Sequence, residues 1–180
     1  IRDSGIDTDI IRPVSTGDIT LTLPSEEKIK LSKDNKIITF VNRNLEPYRG
    51  YHSFMRSLPK IQKKHPDAYV LIIGGDKVSY GSNSNTGESF KDIYFNEVKN
   101  DLVDPGKILF LGRINYGNFL KILALSSVHV YLTYPFVLSW SMLEAMALEA
   151  LIIGSKTAPV EEIIKNKKNG LLVDFFDVEG

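Results

Sequence analysis

Cysteine is absent from this sequence, which excludes disulfides, thiolate metal sites and a cysteine nucleophile. An excess of either charge is also lacking. The 22 basic and 22 acidic residues cancel, so no global field draws the chain toward nucleic acid or an anionic membrane. Any anion site must be local. No apolar run reaches the roughly 18 residues of a membrane span, and no signal peptide opens the chain. A cytoplasmic setting is expected, with peripheral contact at the inner face of a membrane admitted for the whole protein. No methionine starts the sequence and "DVEG" closes it abruptly, so a piece of a longer chain is expected.

What is present is an ordinary globular composition, 43% apolar and 24% charged over 180 residues, enough for one domain with a sizeable core. Short β-branched runs at 36–41, 69–73, 107–111, 128–132, 151–154 and 171–173 alternate with helical patterns near 51–65, 88–100, 118–126, 139–149 and 160–165. That alternation predicts βαβ units and a parallel sheet with helices on both faces. The runs "IITFV" and "VLIIG" are apolar throughout, as strands buried on both sides should be. Pro59 removes a backbone donor inside the first helix, so a kink or restart is expected there. Earlier, "ITLTL" and "KIKLS" each alternate around "PSEE", which reads as a hairpin over residues 19–32. Residues 1–35 are thus read as linker and hairpin, and 36–180 as one Rossmann-like α/β domain. "SYGSNSNTGES" reads as a mobile surface loop.

In an open α/β sheet, ligands sit beyond the carboxyl ends of the strands. One such end reads "VNRNLEPYRG". Arg43 and Arg49 flank one turn there, and guanidinium forks suit phosphate. Gly50 can relax the backbone where the helix starts. The plain alternative is that both arginines are solvated or paired with Glu46. The glycines of "GGD" (Gly74, Gly75) and "GR" (Gly112, Arg113) would let a ligand approach the backbone, although taken alone ordinary turn chemistry is the stronger explanation of them. There is neither a GxGxxG nor a Walker lysine motif.

"PFVLSWSMLEAMA" holds one ionisable residue, Glu144. Ser139 is a good N-cap, so a helix should start near Trp140 and turn Met142, Leu143, Met146 and Ala147 inward. Glu144 would then lie on an exposed second turn, toward solvent or a ligand. A carboxylate can accept hydrogen bonds from two adjacent hydroxyls, as in a ribose. A partly exposed helix glutamate with no ligand is the alternative. In "SKTAPVEE", small residues precede a helix starting at Pro159 or Val160, and backbone donors near Thr157 and Ala158 could hold a phosphate or sugar. His52, His65 and His129 make unconvincing catalytic bases, His129 because it lies in a buried strand.

Together these segments resemble the nucleotide-binding domain of retaining GT-B glycosyltransferases, in particular the large family 4 with its "glycosyl transferases group 1" domain. "GID" resembles the interdomain linker, "NRNLEPYRG" the family's G-R-…-E-x-K-G segment, and "FLG", "EAMA", "PVEEII" and "NGLLV" follow in family order. The resemblance implies that Arg43 and Arg49 hold the donor diphosphate as catalytic groups, arginine replacing the family's lysine at 49. It also implies that Glu144 meets the donor ribose as the second Glu of E-x7-E. The first Glu of that motif is replaced by Phe136, and the usual glycines by Val137, Leu138 and Ser139, whose amides could still face phosphates and sugar.

The resemblance further implies a UDP-, GDP- or ADP-sugar donor, no metal, and no nucleic-acid partner. The acceptor, whether glycan, lipid or small molecule, would be met by an N-terminal domain. "DTD" at Asp7–Asp9 raises a metal-dependent GT-A alternative, but it falls in the linker-like segment. A non-catalytic nucleotide-sugar module, favoured by Phe136, and a GT-B nucleotide-sugar epimerase are the other readings. A receiver domain is disfavoured because no acidic cluster occurs at the strand ends.

Overall fold

The fold was analysed on a computed structural model that describes residues 5–13, 17–22 and 26–179. Strands β1 (Ile19–Thr22) and β2 (Lys28–Leu31) pair antiparallel, Ile19 opposite Leu31. This is the expected hairpin, although part of its connection, residues 23–25, lies outside the described residues. The main sheet follows. Its strands are β3 (Ile37–Asn44), β4 (Tyr69–Gly75), β5 (Ile108–Gly112), β6 (Val128–Tyr131), β7 (Leu151–Ser155) and β8 (Leu171–Val173). Between them run α1 (Tyr51–Lys64), α2 (Phe90–Val98), α3 (Tyr116–Leu125), α4 (Trp140–Ala147) and α5 (Ala158–Ile163). All five pairings are parallel, in the order β5-β4-β3-β6-β7-β8. Among the described residues, no helix is long and apolar enough to cross a membrane.

Alternation along the strands feeds two apolar layers. Phe40, Val70 and Ile72 face α1 and α2, where Phe54, Met55, Leu58 and Val98 complete the cluster. On the other side Ile37, Leu71 and Leu109 meet Ile122 and Leu125 of α3, joined by Ile19 and Leu31 of the hairpin. Leu123, Met142, Ala145, Ile152 and Val160 extend this layer under α4 and α5. Each such burial contributes about 1.5–3 kcal/mol, and it explains why α1 does not restart at Pro59. The helix runs through the proline as one element, carried by the buried face of Tyr51, Phe54, Met55 and Leu58.

Strand order reverses between β3, whose chain continues outward to β4 and β5, and β6, which leads the other way to β7 and β8. Connections leave this point in opposite directions, so a crevice opens beyond the carboxyl ends of β3 and β6.

Candidate functional site

Beyond β3, Leu45 and Glu46 lead into a 3-10 turn, Pro47–Arg49, whose proline presets its first dihedral. The turn closes on Gly50 at φ 72°, a left-handed conformation. A Cβ at Gly50 would lie 2.2 Å from the Leu132 Cβ, so only glycine lets this turn press against the end of β6. That contact brings Arg49 into the crevice.

Arg49 is 8% exposed. Its Nη1 donates to Thr133 Oγ1 at 2.9 Å and to the Val137 carbonyl at 3.4 Å. The guanidinium carbon lies 5.0 Å from the Tyr80 ring centre and 4.8 Å from that of Phe136. No carboxylate of the described residues forms an ion pair with Arg49 or with the exposed Arg43. Both arginines, with Asn42, Tyr80, Phe136, Val137, Leu138, Ser139 and Trp140, line one cleft of about 760 Å³. A buried cation without an ion-paired carboxylate, at the wall of an open cleft, is electrostatically suited to an anion.

Pairing of the arginines with Glu46, one sequence reading, is overturned. Glu46 is 1% exposed, and its Oε2 accepts the amides of Ser79 and Tyr80 at 3.1 and 3.2 Å. Asn44 Nδ2 donates to Ser79 Oγ at 2.6 Å. The start of the supposedly mobile loop is therefore fastened.

Other expected site residues lie elsewhere. Gly74, Gly75 and Arg113 line a second cleft, of about 530 Å³, at the ends of β4 and β5 with Asp76, Lys77 and Lys91. The glycines there serve the chain's own contacts: a Cβ at Gly74 would lie 2.7 Å from the Asn42 carbonyl, and one at Gly75 2.5 Å from Asn44 Oδ1. Ala158 lines a third, more apolar groove with Phe136, Val137, Leu138 and Trp140. The Thr157 amide is taken by the Ser155 carbonyl, and its hydroxyl is buried without a partner. The Ser139 amide donates to Tyr131 Oη at 2.8 Å, which removes it from the phosphate donors expected at 137–139.

Glu144 departs most from expectation. Ser139 does cap α4, but the inward face is Ser141, Met142, Glu144 and Ala145, not the Met142, Leu143, Met146 and Ala147 set. Glu144 is 4% exposed and accepts a hydrogen bond from Tyr116 Oη at 2.7 Å. Burial, then that carboxylate, pushes the Tyr116 phenol up to about 12. The turn expected to be exposed is met instead by the start of α3, whose first residue, Tyr116, bonds Glu144. His129 is fully buried, with Nδ1 2.9 Å from Thr39 Oγ1. Burial pushes it down to about 4. Asp7 Oδ1 accepts the Asp9 amide at 3.0 Å, so this carboxylate caps a turn.

Sequence reasoning missed Tyr80, Trp140, Tyr116 and the clasping role of Glu46. The first three carried no local signal. Glu46 had one, a carboxylate held three residues before the arginine.

The description "Glycosyl transferases group 1" matches residues 24–180, and the chain belongs to that family. It is 27% identical over 170 residues to an uncharacterized glycosyltransferase of Methanocaldococcus jannaschii, covering 91% of this chain and 40% of the relative. The chain thus spans about two fifths of that relative's length. The C-terminal domain of a glycosyl transferase group 1 family protein, LpcC of Francisella tularensis, superposes with a TM-score of 0.67 at 22% identity, covering 94% of this chain and 80% of that one. Anabaena HepE, solved with UDP-glucose, gives a TM-score of 0.59 at 16% identity, covering 78% and 35%. These two likenesses establish the parallel-sheet fold of the GT-B neighbours.

Proposed function

We propose that this chain is the donor-binding domain of a retaining, metal-independent family 4 glycosyltransferase. It would take a nucleoside-diphosphate sugar and work on the cytoplasmic side of the cell, in solution or against the membrane's inner face. One observation carries the reading: the buried, unpaired guanidinium of Arg49 at the strand-order reversal, in one cleft with Arg43. Breaking a sugar–phosphate bond leaves negative charge on a nucleoside diphosphate. Fixed cationic donors stabilise that leaving group without a metal. The UDP-glucose held by HepE belongs to the same donor class. Because the chain spans two fifths of its relative, the acceptor glycan, lipid or small molecule is assigned to an N-terminal domain.

Glu144 was expected in one cleft with Arg43 and Arg49 and does not line it, so as the ribose contact it would meet the nucleotide from beside that cleft, past the Tyr116 hydroxyl. One hydrogen bond from Tyr116 uses only part of a carboxylate's acceptor capacity, which leaves positions for a diol. Gly74, Gly75 and Arg113 would lie toward the nucleoside, Val137 and Leu138 toward phosphate and sugar.

Calorimetric titration with UDP, GDP, ADP and pyrophosphate tests this reading. One nucleotide should bind, and Arg49→Ala should weaken both it and pyrophosphate by about 1.5–3 kcal/mol, the range for hydrogen bonds to charged groups. Glu144→Gln should weaken the nucleotide alone. Unchanged pyrophosphate affinity in Arg49→Ala and Arg43→Ala would remove the anion site. A non-catalytic binding module is the second reading, favoured because no carboxylate lines the arginine cleft. Binding without transfer by the full-length protein would select it.

A further inference from the structure

The guanidinium of Arg49 does more than lie near two rings. The Tyr80 and Phe136 centroids are 5.0 Å apart, about as far from each other as each is from the guanidinium carbon. The three centres form a near-equilateral triangle, so the cation rests in the angle between two aromatic faces. Tyr48 backs both rings, at 6.3 and 6.0 Å. Phe136 lies five residues past the end of β6, and Tyr80 belongs to a loop and is 40% exposed. Its position needs a tie.

The tie comes from the segment that carries the arginine. Glu46 Oε2 holds the Ser79 and Tyr80 amides together, and Asn44 holds the Ser79 hydroxyl. Beyond Tyr80, the hydrogen bonds of Ser84, Thr86 and Gly87 stay within the loop. Glu46 Oε2 is committed to two amides, Oε1 is buried without a partner, and no ion pair links Glu46 to Arg49, three residues on. A carboxylate and a cation thus sit in one short turn without quenching each other. The carboxylate fixes an aromatic face instead, and that face fixes the cation. The bonds to Thr133 and Val137 leave from Nη1 and the Tyr131 phenol is a further partner of the guanidinium, so the five donors of the fork exceed its partners within the chain.

We propose that Glu46 is a positioning residue of the anion site. By clasping the Ser79 and Tyr80 amides it sets Tyr80 against Arg49, and so fixes how Arg49 meets a diphosphate. This rests on the donor-binding reading above. A cation on an aromatic face is held by roughly 0.5–2 kcal/mol, equivalent to a 2- to 30-fold change in affinity.

The test measures pyrophosphate affinity and thermal midpoint on the full-length protein, for Tyr80→Leu, Tyr80→Phe, Glu46→Gln and the Glu46→Gln/Tyr80→Leu double variant. Tyr80→Leu should lower affinity by a factor in that range, and Tyr80→Phe, which keeps the ring, should restore it. Glu46→Gln should lower it comparably. The double variant should be no weaker than Tyr80→Leu, because Glu46 acts through the ring. A Glu46→Gln effect that persists undiminished without Tyr80 overturns the proposal, and so does wild-type affinity in Tyr80→Leu. If Glu46→Gln does not fold, Ser79→Pro removes one clasped amide from the loop side, and undiminished affinity there overturns it equally. Loss of binding in Arg49→Ala with none in Tyr80→Leu would sink the clasp alone. Full binding in Arg49→Ala would sink the anion site itself.

Discussion

Replacing Arg49 by methionine separates a residue kept for binding from one kept for stability. Without ligand, an 8% exposed guanidinium is ion-paired with no carboxylate of the described residues. Its desolvation costs several kcal/mol. Against that stand two hydrogen bonds from a charged donor, about 1.5–3 kcal/mol each, with the 3.4 Å contact to Val137 at the weak end. Two ring contacts add roughly 0.5–2 kcal/mol each. These sums nearly cancel. Methionine keeps the apolar stem, and its sulfur sits favourably by aromatic rings, worth about 0.3–1.5 kcal/mol. Unliganded Arg49→Met should therefore lie within about 1 kcal/mol of wild type in urea unfolding. Saturating pyrophosphate at a hundred times its dissociation constant should stabilise the wild type by about 2.7 kcal/mol and the variant by nearly nothing. A variant that loses more than about 3 kcal/mol without ligand would make Arg49 a structural residue. A variant that keeps the ligand shift would place the anion elsewhere.

Gly50→Ala should cost more than about 2 kcal/mol and lower the thermal midpoint, since it adds positive-φ strain to a clash at Leu132. Tyr116→Phe deprives Glu144 of its hydrogen bond and should cost roughly 1.5–3 kcal/mol in urea unfolding at neutral pH. In the wild type the Tyr116 contribution is whole below pH 10 and is lost as pH rises toward 12, because its folded pKa is raised. His129 runs the other way. Its folded pKa of about 4 lies below the usual 6.5, so stability should fall by about 3 kcal/mol as pH drops across that window, a slope that His129→Leu should lose. Phe136→Glu would bring a carboxylate within reach of Arg49, so it should weaken pyrophosphate binding in calorimetry.

The sheet was legible because its signals are local. Buried strands show as unbroken β-branched runs, and the hairpin as two alternating ones, each within a few residues of its observed bounds. The arginine cleft was legible for a related reason. Arg43 and Arg49 flank a single turn, and strand order brings residues 137–139 beside it. The rest depends on distant residues. Tyr80 reaches Arg49 from 31 positions away, and Tyr116 reaches Glu144 from 28. No periodicity within one segment encodes such meetings. Glu144 shows the limit most clearly. Its helix was placed correctly, but which side counted as inward depended on where α3 begins, and that is a tertiary fact.

Two positions depart from the family pattern that the sequence resembles: arginine stands for lysine at 49, and phenylalanine for glutamate at 136. Read along the chain they look like independent losses. In space they touch, 4.8 Å from guanidinium carbon to ring centre. A lysine ammonium is a compact, strongly hydrated point charge, whereas a guanidinium is planar, weakly hydrated and stacks on aromatic faces. An aromatic wall therefore suits arginine more than lysine. A glutamate on that wall would stand within reach of the guanidinium as an ion-pair partner, which phenylalanine is not. The two substitutions make sense as one change, in which the cleft keeps its positive charge by changing how that charge is held. Glu46 belongs to the same change, because a carboxylate spent on the Ser79 and Tyr80 amides is one that Arg49 cannot pair with. If the cleft takes a diphosphate as proposed, that anion would meet Arg43 and Arg49 with no carboxylate lining the cleft to compete for them.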